Sequence, residues 1–497
     1  MRNLLLIFST VFILFSCKQQ AQKSLELIDN IALAKSTLKV EVLAQDLDVP
    51  WDLAYADDGF LWVAEQGGTV SRIELSTGER KQVLKIDEVW RQRTSGLLGM
   101  AVHPNFKLNP YVFVNYTAKR DSLIVSRLVR YTFKNDSLYN AKLLLEIDGN
   151  TAHNGSRIAF SSNGKLLWAT GDAHHFENAQ NDESLNGKIL RLNTDGSIPQ
   201  DNPNPKSYVW AKGFRNIQGL AVSNKGLVYT SEHGDAIEDE VNLIDKAANY
   251  GWPLIEGKHD LAKEKAFAAA NNTTEPIRSW TPVIAPSGLT YYNSSAIPEW
   301  QNSLLLTTLK ARSLRVLKLN DDGKSIADEE IFFADYYGRL RDVCVDADGA
   351  VYISTSNKDW NPSPGFPLAG DDKILKISFT QKAAKKALKG VKAENALPKN
   401  GQQLYQVYCG SCHKEDGKGV SGVFPSLVGS AKVNGTPNSL IQILLKGINQ
   451  NSSQQMPAFN FLKDDEAAQI LTYIRKSWGN KGEEINANQI KLRKLLH

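Results

Sequence analysis

The chain has 497 residues, with 58 Lys and Arg against 54 Asp and Glu, a formal net charge of +4 and four cysteines. Such a length suits more than one domain, and the near-balanced charge speaks against a dedicated nucleic-acid binder, so no nucleic-acid partner is expected.

Arg2 precedes an apolar run over residues 4–15, followed by Ser16 and Cys17. Residues 1–16 read as a lipoprotein signal cut before Cys17, because a run this short cannot span a bilayer as a mature helix. Leu14-Phe15-Ser16-Cys17 fits a lipobox, so lipidation of Cys17 is expected rather than a plain signal with an incidental cysteine. The mature chain would be exported and lipid-anchored to a bacterial membrane, with a polar leader over residues 17–36. Lys18-Gln19-Gln20 carries no acidic sorting signal, which favours the periplasmic face.

Residues 37–380 carry an internal repeat, a pair of short apolar strands around a polar or glycine turn. It runs through Leu53-Ala54-Tyr55 with Leu61-Trp62-Val63, Met100-Ala101-Val102 with Val112-Phe113-Val114, and Ile158-Ala159-Phe160 with Leu167-Trp168-Ala169. It continues with Leu220-Ala221-Val222 and Val228-Tyr229, a looser Leu289-Thr290-Tyr291 and Leu304-Leu305-Leu306, then Val343-Cys344-Val345 and Val351-Tyr352-Ile353. A further short strand follows each pair, as at Ile189-Leu190-Arg191-Leu192. Six such copies, nearly all strand and turn, predict an all-β six-bladed β-propeller. Asp346-Ala347-Asp348-Gly349 lacks the distal Glu of a calcium loop and is expected to be a hairpin turn.

Propellers place function in the loops at one end of the channel. Those loops carry Thr151-Ala152-His153-Asn154-Gly155, Gly171-Asp172-Ala173-His174-His175 and Gly213-Phe214-Arg215-Asn216. They also carry Glu232-His233-Gly234-Asp235, Leu309-Lys310-Ala311-Arg312 and Gly338-Arg339-Leu340-Arg341-Asp342. Any one of them alone would pass for a surface loop. Together they bring Arg215, Lys310, Arg339 and Arg341 near one mouth, as a site for a polyanionic ligand would.

Residues 381–399 shift to Lys and Ala with Pro398 near the end, the composition of a linker. Beyond it stands Cys409-Gly410-Ser411-Cys412-His413, two thiols and an imidazole at the spacing of covalent haem attachment. Redox and zinc motifs share Cys-x-x-Cys, but zinc needs more nearby ligands, and the only later histidine is His497. Haem c is therefore expected, with His413 on the iron and Met456 as sixth ligand. Met456-Pro457 follows a polar loop rather than an apolar stripe, which separates it from an ordinary core methionine.

Helices are predicted over residues 401–408 and 464–478, and residues 400–480 resemble a small all-α class I cytochrome c domain. In that family Pro425 would hold the proximal histidine through its carbonyl. A basic tail covers residues 481–497. Cysteine use closes without a disulfide: Cys17 for lipid, Cys409 and Cys412 for haem, Cys344 in an apolar strand. Covalent haem attachment occurs outside the bacterial cytoplasm, so both ends of the chain point to one compartment.

The propeller resembles the PQQ-dependent soluble aldose sugar dehydrogenases, the glucose/sorbosone dehydrogenase family. The resemblance runs in order through Val49-Pro50-Trp51, Gly96-Leu97-Leu98-Gly99, His153-Asn154-Gly155, Arg215-Asn216-Ile217-Gln218-Gly219-Leu220, Asn249-Tyr250-Gly251-Trp252-Pro253 and Gly338-Arg339-Leu340-Arg341-Asp342. It implies PQQ held by Arg215, Asn216, Lys310, Arg339 and Arg341, with Ca2+ on the quinone and on backbone carbonyls of the Gly234-Asp235 loop. It also implies a structural calcium at Glu240, the Tyr250 carbonyl and Asp260. His153 would take the C1 hydroxyl proton of a sugar while hydride passes to the quinone, and the electrons would go to the haem and on to another cytochrome or respiratory component.

The chain departs from the family pattern at Ala152, where an Asp is common, at Thr94-Ser95, where Gln or Glu is common, and at Asp235, where Pro is common. On that basis the carboxylate that would orient His153 is expected to be missing. Two other readings compete: a propeller that only binds carbohydrate or docks the cytochrome domain, and hydrolytic lactone chemistry, which leaves the haem without a role.

Overall fold

The computed structural model describes residues 25–495 apart from residues 57, 236, 383–386, 394–397, 399 and 451–453. Cys17 and the expected signal lie outside the described residues. Among those described, no helix is long and apolar enough to cross a membrane.

Six antiparallel sheets make the blades. Their innermost strands are Pro50–Ala56, Leu97–Val102, Gly155–Phe160, Ile217–Val222, Pro286–Tyr292 and Leu340–Val345. Each packs beside the next and the sixth returns to the first, closing the ring. The repeated strand pairs are the inner hairpins: Leu53 opposes Val63, Ile158 opposes Trp168, and Val343 opposes Ile353. In the first hairpin Gly59 takes φ +82°, the left-handed geometry that a tight turn needs and glycine supplies without strain. Large side chains fill the spaces between blades, with Trp62, Trp168, Trp300 and Tyr352 fully buried. Asp346 closes the predicted sixth-blade turn by accepting the Asp348 and Ala350 N–H groups and the Tyr352 hydroxyl.

Three boundaries differ from the sequence reading. The leader extends less far than expected, because Glu26–Ala32 forms the outermost strand of the sixth blade beside Thr37–Ala44, which pairs with Ile374–Thr380. Ile31 and Leu38 drive this, being fully buried in the core between the fifth and sixth blades. The linker is not free along its whole length either, since Val391–Lys392 pairs with Ile331 and Glu330 at the edge of the fifth blade. The basic tail is part of the cytochrome core: Ala487–Leu495 is a helix that buries Ile490 in the same cluster as Leu404 and Ile441. Arg475, also buried, stitches it in place by donating from Nε to the Glu483 carbonyl at 2.6 Å.

The C-terminal unit comprises helices Gly401–Tyr408, Gly410–His413, Ala431–Asn434, Pro437–Lys446, Asp464–Lys476 and Ala487–Leu495. The expected all-α unit also contains a short hairpin, Ile448–Gln450 with Gln454–Met456.

Arg157 lies buried in the propeller channel, 2.8 Å from Asp52 and 3.1 Å from Asp342 through Nη1. Its Nε donates to the Gln218 carbonyl at 2.7 Å, while Asp342 accepts the Leu53 N–H and Asp52 the Met100 N–H. One guanidinium thus ties inner strands from five blades around a cavity of about 200 Å³. Burial pushes the Asp52 carboxyl up to about 7 even with Arg157 beside it. Arg157→Met leaves two buried carboxylates without a cation and is expected to destabilise the propeller by about 3–5 kcal/mol, read as a lowered thermal midpoint.

Candidate active site and haem site

The turn into the third blade's inner strand carries His153 at φ +57°. Beneath it passes Gly171, where a Cβ would stand 2.1 Å from the His153 carbonyl oxygen, so only glycine permits the approach. That approach delivers the next residue, Asp172, to the imidazole. Asp172 Oδ1 lies 2.9 Å from His153 Nδ1 and accepts the His174 N–H at 2.8 Å, while Oδ2 accepts the Trp252 indole N–H at 2.9 Å. The orienting carboxylate expected to be missing at Ala152 is therefore supplied by Asp172, nineteen residues along the chain.

Burial holds the His153 imidazole well below its usual range, and the positive field of Arg215 adds to the effect. The ring is neutral, with Nδ1 donating to Asp172 and Nε2 left as a free lone pair. The exposed His174 ring stacks on His153, centroids 3.8 Å apart. Arg93, half-buried, lies with its guanidinium 4.9 Å from the Trp360 ring centroid.

Across the mouth stand the basic residues. Arg341 is 2 % exposed and lies 3.7 Å over the Trp51 ring. Its contacts to Ser356, Gln218 and Asp359 are long, 3.4–3.5 Å, and burial pulls its guanidinium down to about 9. Arg339 is paired at 2.8 Å with Asp359, which also flanks Arg341. Arg215 bonds Asp235 at 2.8 Å through Nη2, yet its Nε is buried without a partner, as is His233 Nε2. Asn216 is buried beside them, and Lys310 lies in the field of Asp239. Buried cations with long or unmade hydrogen bonds fit the carboxylates of PQQ, whose acceptors would complete them.

The loop Gly234-Asp235 is tight: a Cβ on Gly234 would meet the Ile237 carbonyl at 1.9 Å. Gly234 donates its N–H to Asp239, so the loop can turn carbonyl oxygens toward a cation. Nearby, Glu240 and Tyr250 line a small cavity with Glu232, Glu238 and Glu256. Burial raises Glu240 and Glu256 to about 7 and Glu232 well above its usual range, a strain that a divalent cation would relieve. Asp260 does not line that cavity and instead precedes the helix Ala262–Asn271. Among the described residues no three acidic, His or Cys side chains form a ready metal cage, so a cation here would draw on backbone carbonyls.

In the C-terminal unit His413 Nδ1 lies 3.0 Å from the Pro425 carbonyl, which fixes the tautomer and leaves Nε2 for iron. Burial pushes the Cys409 thiol up to about 12. Cys409 lies inside an apolar cluster against which Met456 packs. This donor set, two thiols, one fixed imidazole and a thioether against an apolar wall, fits haem c.

Asp172, Trp252, His174 and Asp359 carry no role in the sequence reading. The Gly171-Asp172 pair after a core strand was the available signal, and its pairing with His153 depends on how two loops cross.

The chain matches the family model "Glucose / Sorbosone dehydrogenase" over residues 47–361 and "Cytochrome C oxidase, cbb3-type, subunit III" over residues 396–474. It is 30% identical to aldose sugar dehydrogenase YliI of Escherichia coli over 341 residues, 65% of this chain and 91% of that one. The PQQ-bound structure of an aldose sugar dehydrogenase from Streptomyces coelicolor superposes with TM-score 0.62 at 30% identity, covering 70% of this chain and 99% of the other. The C-terminal part is 35% identical over 103 residues to the fructose dehydrogenase cytochrome subunit of Gluconobacter japonicus, 18% of this chain and 21% of that subunit. The chain belongs to the glucose/sorbosone dehydrogenase family of oxidoreductases, as a member whose six-bladed propeller continues into a cytochrome c domain.

Proposed function

We propose that this protein oxidises an aldose at C1 and passes the electrons through its own haem c to an external acceptor. The observation that carries this is the neutral, carboxylate-oriented His153 facing the same mouth as the buried, under-bonded Arg341 and Arg215. His153 Nε2 accepts the C1 hydroxyl proton as the C1 hydride leaves. Asp172 holds the ring in the right tautomer and stabilises the imidazolium that forms. Trp252 keeps that carboxylate from rotating away.

Arg215, Asn216, Lys310, Arg339 and Arg341 would hold PQQ through its carboxylates, with Trp51 as a rigid shelf beneath Arg341. When bound, PQQ supplies a two-electron hydride acceptor, and Ca2+ at the Gly234-Asp235 loop supplies Lewis acidity at its carbonyl. A second, structural calcium would sit at Glu240 and the Tyr250 carbonyl. His413 and Met456 would ligate the iron of a haem attached through Cys409 and Cys412. Export and a lipid on Cys17 would tether the protein to a bacterial membrane on its periplasmic face, beside a cytochrome or other respiratory acceptor.

PQQ titration of the full-length apoprotein tests this reading. Arg341→Met is expected to weaken PQQ binding by about a hundredfold, as loss of a bidentate, desolvated cation does. Equal binding by the variant and the native chain would remove the cofactor site from this mouth.

A further inference from the structure

The cytochrome domain touches the propeller at the rim of the proposed quinone site. Lys414, next to His413, donates from Nζ to Asn361 Oδ1, and the Asn361 N–H donates to Asp359, the carboxylate that holds Arg339 and Arg341. Lys414 lies within the fields of Arg339 and Asp359. Lys310, from the fifth blade, lies within electrostatic range of the Cys409 and Cys412 positions. The two sulfurs that would carry the haem therefore lie on the side of the cytochrome domain nearer the fifth blade's Lys310.

The linker reinforces this placement. Leu388 exchanges backbone hydrogen bonds with Asn30 and Ala32 at 2.8 and 2.9 Å, and Val391–Lys392 adds to the fifth blade, whose loop bears Lys310. Gly390 lies flat on Phe332, where a Cβ would come within 2.7 Å of the ring. The chain from Lys392 to the helix at Gly401 spans at most about 30 Å fully extended, which keeps the cytochrome near this rim at high effective concentration. A contact too weak to hold two separate proteins suffices under such a tether.

On the opposite side of the mouth His174 is exposed above His153. We infer that the rim is divided: the fifth and sixth blades dock the haem-binding face of the cytochrome domain through Lys414 and Asn361, while the third-blade side stays open to sugar. The haem then accepts electrons from a docked position without leaving to admit substrate. Oxidation of one aldose to its lactone releases two electrons and two protons. A ferric haem takes one electron, so the external acceptor must reoxidise it once between the two transfers, and a standing contact serves both. This inference rests on the function proposed above.

The test uses the full-length protein carrying haem and PQQ, with Lys414→Ala and Asn361→Lys, the second placing like charges face to face. Haem reduction after mixing with aldose is expected to slow at least tenfold in both variants. Turnover with a small dye that takes electrons directly at the quinone should keep its kcat and its KM for sugar. Unchanged haem reduction would overturn the interface, and a lowered sugar KM would overturn the divided rim by showing that the cytochrome obstructs entry. Amide hydrogen exchange at residues 356–361 and 410–414 reads the contact without activity: faster exchange in the variants supports docking and equal exchange overturns it. Loss of dye-linked turnover in the native chain would instead count against the proposed function, leaving the exchange result to judge the interface.

Discussion

His153→Ala is expected to lower kcat for aldose oxidation by about a hundred- to ten-thousandfold while PQQ still binds, measured with an artificial acceptor. The loss is large because the imidazole is the only neutral base aligned by a buried carboxylate at this mouth among the described residues. Asp172 fixes its tautomer from one side, and Trp252 fixes Asp172 from the other. Binding should survive because the cradle of Arg215, Lys310, Arg339 and Arg341 does not use His153 as a support.

The pH profile follows from the same geometry. Burial and the nearby Arg215 disfavour the imidazolium, so the folded-state value lies well below the 6.5 of a free histidine. The base is active when neutral, hence kcat/KM should hold as pH falls through 6.5 and decline only at lower pH. The unfolded chain takes up a proton at this histidine near 6.5 and the folded chain does not. His153 therefore makes folding less favourable as pH drops below that value, and His233, held down to about 3, acts in the same direction.

Cys409→Ala combined with Cys412→Ala is expected to abolish covalent haem and, with it, all electron flow from sugar to the external acceptor. No other pair of described cysteines could replace them, since Cys344 sits in the sixth blade's inner strand, where burial suppresses thiolate formation. Dye-linked oxidation at the quinone should persist. The C-terminal unit should also lose stability, because Cys409 lies within the cluster of Leu404, Tyr405 and Ile441 and the macrocycle would fill the space beside it. Haem-linked peroxidase staining of the denatured chain reads the first effect directly.

The propeller was legible because its blades are local objects. Leu53-Ala54-Tyr55 and Leu61-Trp62-Val63 sit eight residues apart and announce a hairpin by two short apolar runs around a glycine turn. The ring closure was not legible, since Thr37–Ala44 meets Ile374–Thr380 from the far end of the domain. Glu26–Ala32 reads as polar leader, with Glu26, Asp29 and Asn30 in seven residues, because it is an outer strand with little to bury. The haem site was plain, as five consecutive residues carry most of its chemistry. The carboxylate behind His153 was not, because Asp172 reaches the imidazole only through the close crossing at Gly171. The same holds for Asp359, whose value lies in arginines that precede it by about twenty residues.

The most direct test of the whole account is the haem absorbance of the oxidised full-length protein, loaded with PQQ and Ca2+, while a panel of aldoses and oligosaccharides is added. Reduction of the haem that requires PQQ and disappears in His153→Ala is the predicted result. A haem that stays oxidised with every sugar while PQQ is bound would contradict sugar oxidation linked to the internal cytochrome.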